Sequence, residues 1–281
     1  PFKTHINAWN MDLYLSISPE LYLKRLLVAG FEKVYTICKN FRNEGVDRTH
    51  NPEFTMLECY WAYKDYRDMM ELTEDLFVYV TEKLFGSTEV TYQGKVINFK
   101  KPWERISMVD AITKYAKINV REKSDDELKK IIKDYKIKVE GDIVRGKLIE
   151  AIFEELVEDK LIQPVFITNH PADTTPLCKT KRDDKELLER FEPYCMGWEL
   201  GNAYSELNDP VKQKELLKQQ AESGKRGDSE AHQYDKDFII ALEHGMPPAG
   251  GLGIGVDRMV MLLTNARSVR DIITFPTMKP E

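Results

Sequence analysis

Two strand-like runs held apart by a long charged loop constrain this chain more than any other stretch. VYTIC (34–38) and FTMLECYWAY (54–63) are rich in β-branched and aromatic residues and read as strands. Hairpin loops commonly hold roughly two to five residues, and this one needs about ten, a length that is uncommon unless the loop binds something. The loop and its margins carry Arg42, Glu44, Arg48, His50 and Glu53. Alternation along the second strand places Phe54, Met56, Glu58, Tyr60 and Ala62 on one face. A carboxylate on such a face must meet a cation or take up a proton. Two readings follow: a ligand-binding loop beside a pocket, or an ion pair internal to the protein.

With 281 residues, 42% of them hydrophobic, the chain can bury a substantial core and suits one large α/β or α+β domain, or a domain carrying an insertion. No apolar run approaches a bilayer-spanning length and no signal peptide is visible, so a soluble cytoplasmic protein with no membrane partner is expected. The first residue is Pro1 rather than Met, so a piece of a longer protein is expected. Cys38, Cys59, Cys178 and Cys195 show no CxxC spacing and no close His, and read as reduced packing residues. A formal charge of −6 gives no global attraction to nucleic acid, so contact with RNA would need a local basic patch or another domain.

MDLYLSI (11–17) predicts a short strand and Ser18 onward a helix, with Pro19 at its first position, Glu20 in its first turn and Gly30 as its stop. DYRDMMELTEDLFVYVTEKLFG (65–86) carries Met69, Leu72, Leu76, Val80 and Leu84 at the spacing of one helical face. VTYQGKVINF (90–99) predicts a hairpin turning at Gln93-Gly94. From 102 to 160 the composition shifts to Lys, Glu and Asp with helical periodicity and a capping-box start at Ser124 and Glu127, which predicts a peripheral or inserted helical segment with solvated charged faces. Strand signals return at PVFIT (164–168) and through FEPYCMGWELGNAYSEL (191–207), followed by a charged helix over 210–224. PPAGGLGIGVDRMVMLLTN (247–265) then predicts a Gly-rich strand running into an apolar helix.

If Met196-Gly197 form a two-residue turn, Cys195 faces Trp198 and Tyr194 faces Glu199, which makes Glu192 and Glu199 diagonal neighbours roughly 7–8 Å apart on one face. Like charges that close raise one pKa unless a cation lies between them. Such oxygen ligands suit Mg²⁺, which keeps waters and takes one or two carboxylates plus substrate phosphates. Two solvent-facing glutamates on an edge hairpin stay the alternative. A bulge at Gly201 would re-aim Asn202, Tyr204 and Glu206 toward the same cavity, against the alternative of a polar outer face. GGLGIGVDR has neither the GK[ST] of a Walker A loop nor the spacing of a dinucleotide fingerprint. Its Gly251, Gly253 and Gly255 instead suit close approach of a flat ligand or a neighbouring strand, with Arg258 offering a guanidinium to a phosphate. No Ser-His-Asp or Cys-His nucleophile is visible. His50 suits phosphate, whereas His5, His170, His232 and His244 read as structural.

The order FRNEG, HNPEF and a strand, a carboxylate pair, then GLGIGVDR resembles the catalytic domain of class II aminoacyl-tRNA synthetases. SPELYLKRL, GNAYSELNDP and ALEHGMPP resemble the lysine-specific branch of that family, the lysyl-tRNA synthetases, over essentially the whole chain. The resemblance implies an α+β fold, an antiparallel β-sheet flanked by helices, with residues 1–281 as one catalytic domain that is partial at its N-terminus. It implies that Arg42 binds the ATP α-phosphate and the amino acid carboxylate, Glu44 the adenine amine and His50 the phosphates. Phe54 and Arg258 would sandwich the adenine, Gly255 would belong to the ATP site, and Glu192 and Glu199 would hold Mg²⁺. For L-lysine, Glu20 would take the α-amine, Asn202 would assist at the carboxylate, and Tyr204 would line the pocket. Glu58 and Glu206, with Tyr60, would receive the ε-ammonium. The implied reaction is ATP-dependent formation of lysyl-adenylate, with Arg42 and Arg258 catalytic, then transfer of lysine to the 3′ end of tRNA(Lys). The family is homodimeric. Attack by the lysine carboxylate on the α-phosphorus needs no protein nucleophile, only positioning and neutralised charge.

The family's anticodon-binding barrel and its first motif, which builds the dimer interface just upstream of the position of Pro1, are not in this sequence, whether carried on another chain, deleted or never present, and TTPL stands at 174–177 where the family often has MSPL. Two other functions stay in view. A paralogue that attaches lysine or a lysine isomer to elongation factor P lacks the anticodon domain, but carries Ala at the position of Gly253. A non-catalytic module would hold nucleotide or a partner protein without turnover.

Overall fold

A computed structural model describes residues 1–139, 143–226 and 231–279. β1 (Lys3–Ile6) and β2 (Met11–Tyr14) make a small antiparallel hairpin. Helix α1 (Glu20–Val28) starts one residue later than the sequence suggests, with Pro19 just outside the first turn rather than within it. Its end follows the glycine signal. Gly30, at φ +97°, donates its N–H to the Leu27 carbonyl while Phe31 donates to Leu26, so the last turn is closed by a Schellman pair. β3 (Lys33–Phe41) and β4 (Glu53–Ala62) pair antiparallel from Lys33↔Trp61 to Phe41↔Glu53, with the charged loop 42–52 between them.

α2 (Tyr66–Phe85) is capped by Asp65 and Asp68 and stopped by Gly86, but its buried face differs from the predicted stripe. Leu84 is exposed, whereas Thr73, Glu74 and Thr81 are buried beside Met69, Met70 and Phe77. The threonine hydroxyls donate to the carbonyls four residues back, Met69 at 2.7 Å and Phe77 at 2.8 Å, so these side chains present only methyl groups to the core. Glu74 is satisfied by the Trp103 amide at 2.7 Å. A stripe that counts only apolar letters misses all three.

β5 (Glu89–Tyr92) and β6 (Lys95–Asn98) turn at Gln93-Gly94, both at positive φ. The segment 102–160 holds α3 (Met108–Ala111), α4 (Asp125–Tyr135) with the expected Ser124–Glu127 capping box, and α5 (Arg145–Leu156). It also contributes β7 (Glu104–Ser107), a strand of four residues, too short to declare a period of two. Then come β8 (Val165–Thr168), β9 (Arg190–Cys195), β10 (Trp198–Glu199), β11 (Gly201–Ser205), α6 (Pro210–Lys225), α7 (Lys236–Glu243), β12 (Ala249–Gly255) and α8 (Val256–Thr264).

Eight strands form the main sheet in the order β3-β4-β12-β11-β9-β8-β7, with β10 added on β9. Among the described residues only β7 and β8 run parallel, so the sheet is antiparallel in the main and flanked by helices, as expected. Strand parity divides the interior. Leu252 and Ile254 of β12 and Ala203 of β11 join Met69, Phe77 and Phe166 in the core under α2. Tyr60 and Tyr204 point the other way, into a cluster with Leu23 and Leu27 of α1, Leu217 of α6 and Phe238 of α7. All four cysteines are free. Phe166 is wholly buried, with ring centroids 5.1 Å from Trp103 and 4.9 Å from Phe191. Phe166→Ala is expected to cost about 3–5 kcal/mol in unfolding free energy, read from urea denaturation.

Candidate active site

On the α1 side of the sheet, the register brings candidate residues of three strands into rows. β4 presents Met56, Glu58 and Tyr60 opposite Gly255, Gly253 and Gly251 of β12, and β12 sets Gly253 and Gly251 opposite Asn202 and Tyr204 of β11. The glycines form a low floor between two taller flanks. A Cβ on Gly251 would lie 1.9 Å from Glu206 Oε1 and 2.6 Å from the Tyr60 ring, and one on Gly253 would lie 2.6 Å from Met56 Cε. The close approach expected of this glycine row is therefore made by side chains of the neighbouring strands.

The expected turn at Met196-Gly197 is present, with Cys195↔Trp198 and Tyr194↔Glu199 paired and both turn residues at positive φ. From there to Phe191↔Ala203, β9 advances from 194 to 191 while the facing chain advances from 199 to 203. The extra residue is a bulge at Leu200-Gly201, where the sequence placed it, and it keeps Glu199 and Asn202, three apart, on one face. Arg190 organises this end: its Nε donates to Asn202 Oδ1 at 3.0 Å, Nη2 lies 2.5 Å from Glu192 Oε1, and Nη1 donates to Thr174 Oγ1 at 3.3 Å. Tyr194 donates to Glu192 Oε2 at 3.1 Å. Burial alone would raise the Glu192 pKa, but Arg190 and His170 bring it below the ordinary carboxylate value. For Glu199 the balance is reversed: burial and the charge of Glu192 raise it, with Arg258 opposing.

Arg258, in the first turn of α8, donates from Nη1 to the Glu199 carbonyl at 2.5 Å and lies 3.5 Å from that residue's carboxylate. Its Nη2 meets His50 Nε2 at 3.0 Å. A guanidinium only donates, so Nε2 accepts and His50 carries its proton on Nδ1, which bonds Asp47 at 2.8 Å. Asp257, beside Arg258, accepts the Thr55 amide at 2.7 Å and ties α8 to β4. Arg42 lies over the Phe54 ring at 5.1 Å and donates to the Ile17 carbonyl at 3.3 Å. Glu44 is exposed in the loop and is not drawn into these contacts. Among the described residues no group of three or more His, Cys, Asp or Glu side chains could hold a metal ion.

The opposite end is acidic. Glu58, 3% exposed, accepts from Ser18 Oγ at 2.7 Å and from Tyr60 OH at 3.0 Å. Burial, with the nearby charge of Glu20, pushes its pKa up to about 7. Glu206, 1% exposed, is pushed up to about 8, by burial foremost. Between Glu20 and Glu206 sits a residue that sequence reasoning missed. Lys24 is fully buried, with Nζ 2.5 Å from Glu20 Oε1 and 2.5 Å from Glu206 Oε2. Tyr204 donates to Glu20 at 2.6 Å. Lys24 and Tyr204 together outweigh burial and hold the Glu20 carboxyl below its usual value. Of the two readings of the acidic face, the internal ion pair is seen at Glu20 and Glu206, which Lys24 engages, whereas Glu58 has hydroxyl partners and, among the described residues, no ion pair. Lys24 was legible as a lysine four residues after Glu20, on the helix side carrying Leu23 and Leu27. Arg190 was legible as a cation two residues before Glu192 on the same strand face.

The raised Glu58 pKa has a definite sign for stability. The folded state holds a proton that the unfolded carboxyl, at about 4.5, has already lost, so stability present below that value is lost as pH rises through about 7. Glu58→Gln is therefore expected to flatten the pH dependence between 5 and 7 by up to about 1.4 kcal/mol per pH unit and to unfold no more easily than the parent at pH 8. Denaturation across that range reads it.

A family model described as tRNA synthetases class II (D, K and N) matches residues 1–279. The lysine–tRNA ligase of Clostridium novyi (strain NT) is 55% identical over 284 residues, which cover all of this chain and 56% of that protein. The lysine–tRNA ligases of Clostridium perfringens (strain SM101 / Type A) and Clostridium kluyveri (strain ATCC 8527 / DSM 555 / NBRC 12016 / NCIMB 10680 / K1) are each 54% identical, covering all of this chain and 57% of theirs. The chain thus spans a little over half the length of the curated relatives it matches. With an antiparallel sheet, a glycine floor and a family match over nearly every residue, the chain belongs to the class II tRNA synthetases of the D, K and N group.

Proposed function

We propose that this chain is the catalytic domain of a cytoplasmic lysine–tRNA ligase, which joins L-lysine to ATP as lysyl-adenylate and passes the lysyl group to the 3′ end of tRNA(Lys). The observation that carries the reading is one cleft with unlike ends: three desolvated carboxylates, Glu20, Glu58 and Glu206, at one and Arg42, Arg258 and the Glu192–Glu199 pair at the other. Lysine suits both ends: its ε-ammonium lies at the tip of the side chain, and its α-ammonium and carboxylate share the α-carbon, where Glu20 and Arg42 could each take one.

In this reading Glu58 and Glu206, with Tyr60, receive the ε-ammonium, Glu20 the α-amine, and Asn202 and Arg42 the carboxylate, while Tyr204 walls the pocket. Arg42 holds that carboxylate against the α-phosphate of ATP, and approach and charge neutralisation lower the barrier without a protein nucleophile. Phe54, Arg258 and Gly255 border the adenine, with Glu44 at its amine and His50 toward the phosphates. Glu192 and Glu199 would hold Mg²⁺: their donors are all oxygen, and a divalent cation would relieve the charge repulsion that raises Glu199. When bound, the ion offsets phosphate charge. A neutral side chain in the amine pocket leaves buried carboxylates unpaired, which is the source of discrimination. The exposed edge strand β3, with Tyr35 and Ile37 facing out, offers a surface where a second subunit would pair.

ATP–pyrophosphate exchange by the natural full-length protein tests this. Exchange should require lysine, and Glu58→Gln should lower kcat/KM for lysine by about a hundredfold or more, as removal of one partner from a desolvated charge pair does. Exchange driven by another amino acid, or unchanged lysine selectivity in the variant, would overturn the assignment. Gly251→Ala, whose added methyl meets Glu206 Oε1, is expected to raise KM for lysine while KM for ATP moves by less than about twofold.

A further inference from the structure

We propose that Lys24 sets the charge that the amine pocket can accept: its fixed ammonium, lying between Glu20 and Glu206, reduces three carboxylate charges to two, matching a substrate with two ammonium groups. This deepens the lysine reading above and rests on it.

The geometry is that of a built-in cation. Lys24 has no exposed surface, and its Nζ lies 2.5 Å from one oxygen of each glutamate. It uses Oε1 of Glu20 and Oε2 of Glu206, so the second oxygen of each stays available. Glu206 Oε1 is buried without a hydrogen-bond partner and lies over Gly251, on the floor of the cleft. Glu58 completes the three, held by Ser18 and Tyr60. The other titratable groups around Lys24 do not alter the count. Tyr60, Tyr204 and Cys178 are held protonated and neutral by burial, and burial likewise lowers His232 toward its neutral form. Arg42 also acts electrostatically on Glu58, and in the lysine reading its charge is taken up by the substrate carboxylate. Glu58 and Glu206 hold protons readily while the pocket is empty and ionise against an incoming cation, so with substrate in place three carboxylates and one internal ammonium leave two negative charges for the two positive charges of lysine. Without Lys24, Glu20 and Glu206 would repel, both would hold protons more tightly, and their free oxygens would lose their placement.

Lys24→Ala and Lys24→Met in the full-length protein, assayed by lysine-dependent ATP–pyrophosphate exchange, test the idea. Both should raise KM for lysine about tenfold or more, with KM for ATP changed less than about twofold. n-Propylammonium, which replaces the atoms lost in Lys24→Ala from Cγ to Nζ, should restore lysine KM in that variant, whereas n-propanol should not. Lysine KM within twofold of the parent in either variant, or equal rescue by propanol, would overturn the charge role. If Lys24→Ala fails to bind ATP because it is unfolded, Lys24→Met, which keeps the buried volume, decides on the KM comparison alone. A parent protein that does not exchange with lysine would refute the functional reading instead, so the two failures are distinct.

Discussion

The antiparallel register that sets β12 between β4 and β11 is the constraint on which the cleft depends. Because side chains alternate strictly across a strand, pairing Gly253 with both Glu58 and Asn202 commits a whole row of residues to one face at once. A slip of β12 by one residue would lift Leu252 and Ile254 into the cleft in place of the glycines, and the same slip of β4 would send Glu58 into the aromatic core under α2. The same register explains the glycines. With Tyr60 and Glu206 leaning over the central strand, even a methyl group at Gly251 would collide with them.

Given that floor, electrostatics divides the cleft. Carboxylates removed from water near one another raise each other's pKa until a cation arrives, and the two ends meet this in different ways. At the β9–β11 end, Arg190 compensates Glu192, while Glu199 stays raised beside it. At the α1 end, Lys24 compensates Glu20 and leaves Glu58 and Glu206 raised. Each end thus keeps carboxyls whose charge the protein leaves unmatched, and which hold their protons more tightly until a cation arrives. Ionising such buried carboxyls without a partner costs stability, and such a cost is expected where a ligand brings the missing partner.

Much of the fold was legible because its signals are local. The Met196-Gly197 and Gln93-Gly94 turns need only two residues able to take positive φ, and the Ser124–Glu127 cap needs only a hydroxyl and a carboxylate three apart. The bulge at Gly201 was also legible, since Glu199, Asn202, Tyr204 and Glu206 share a face only if one residue is inserted. The buried stripe of α2 was not, because Thr73 and Thr81 hide their polarity by bonding within the helix. β7 was too short to carry a period.

The sequence by itself determined the type of most elements, though not of β7, together with the hairpin registers and which glutamates belong to one strand face, because these follow from spacing along the chain. Only the tertiary structure decided which charges compensate which. Lys24 meets Glu206, and Arg258 meets both His50 and Glu199, across separations that no local pattern encodes. Those pairings arise when α1 and α8 pack against the sheet and remove water, and an ion pair takes its strength from that desolvated neighbourhood rather than from its letters.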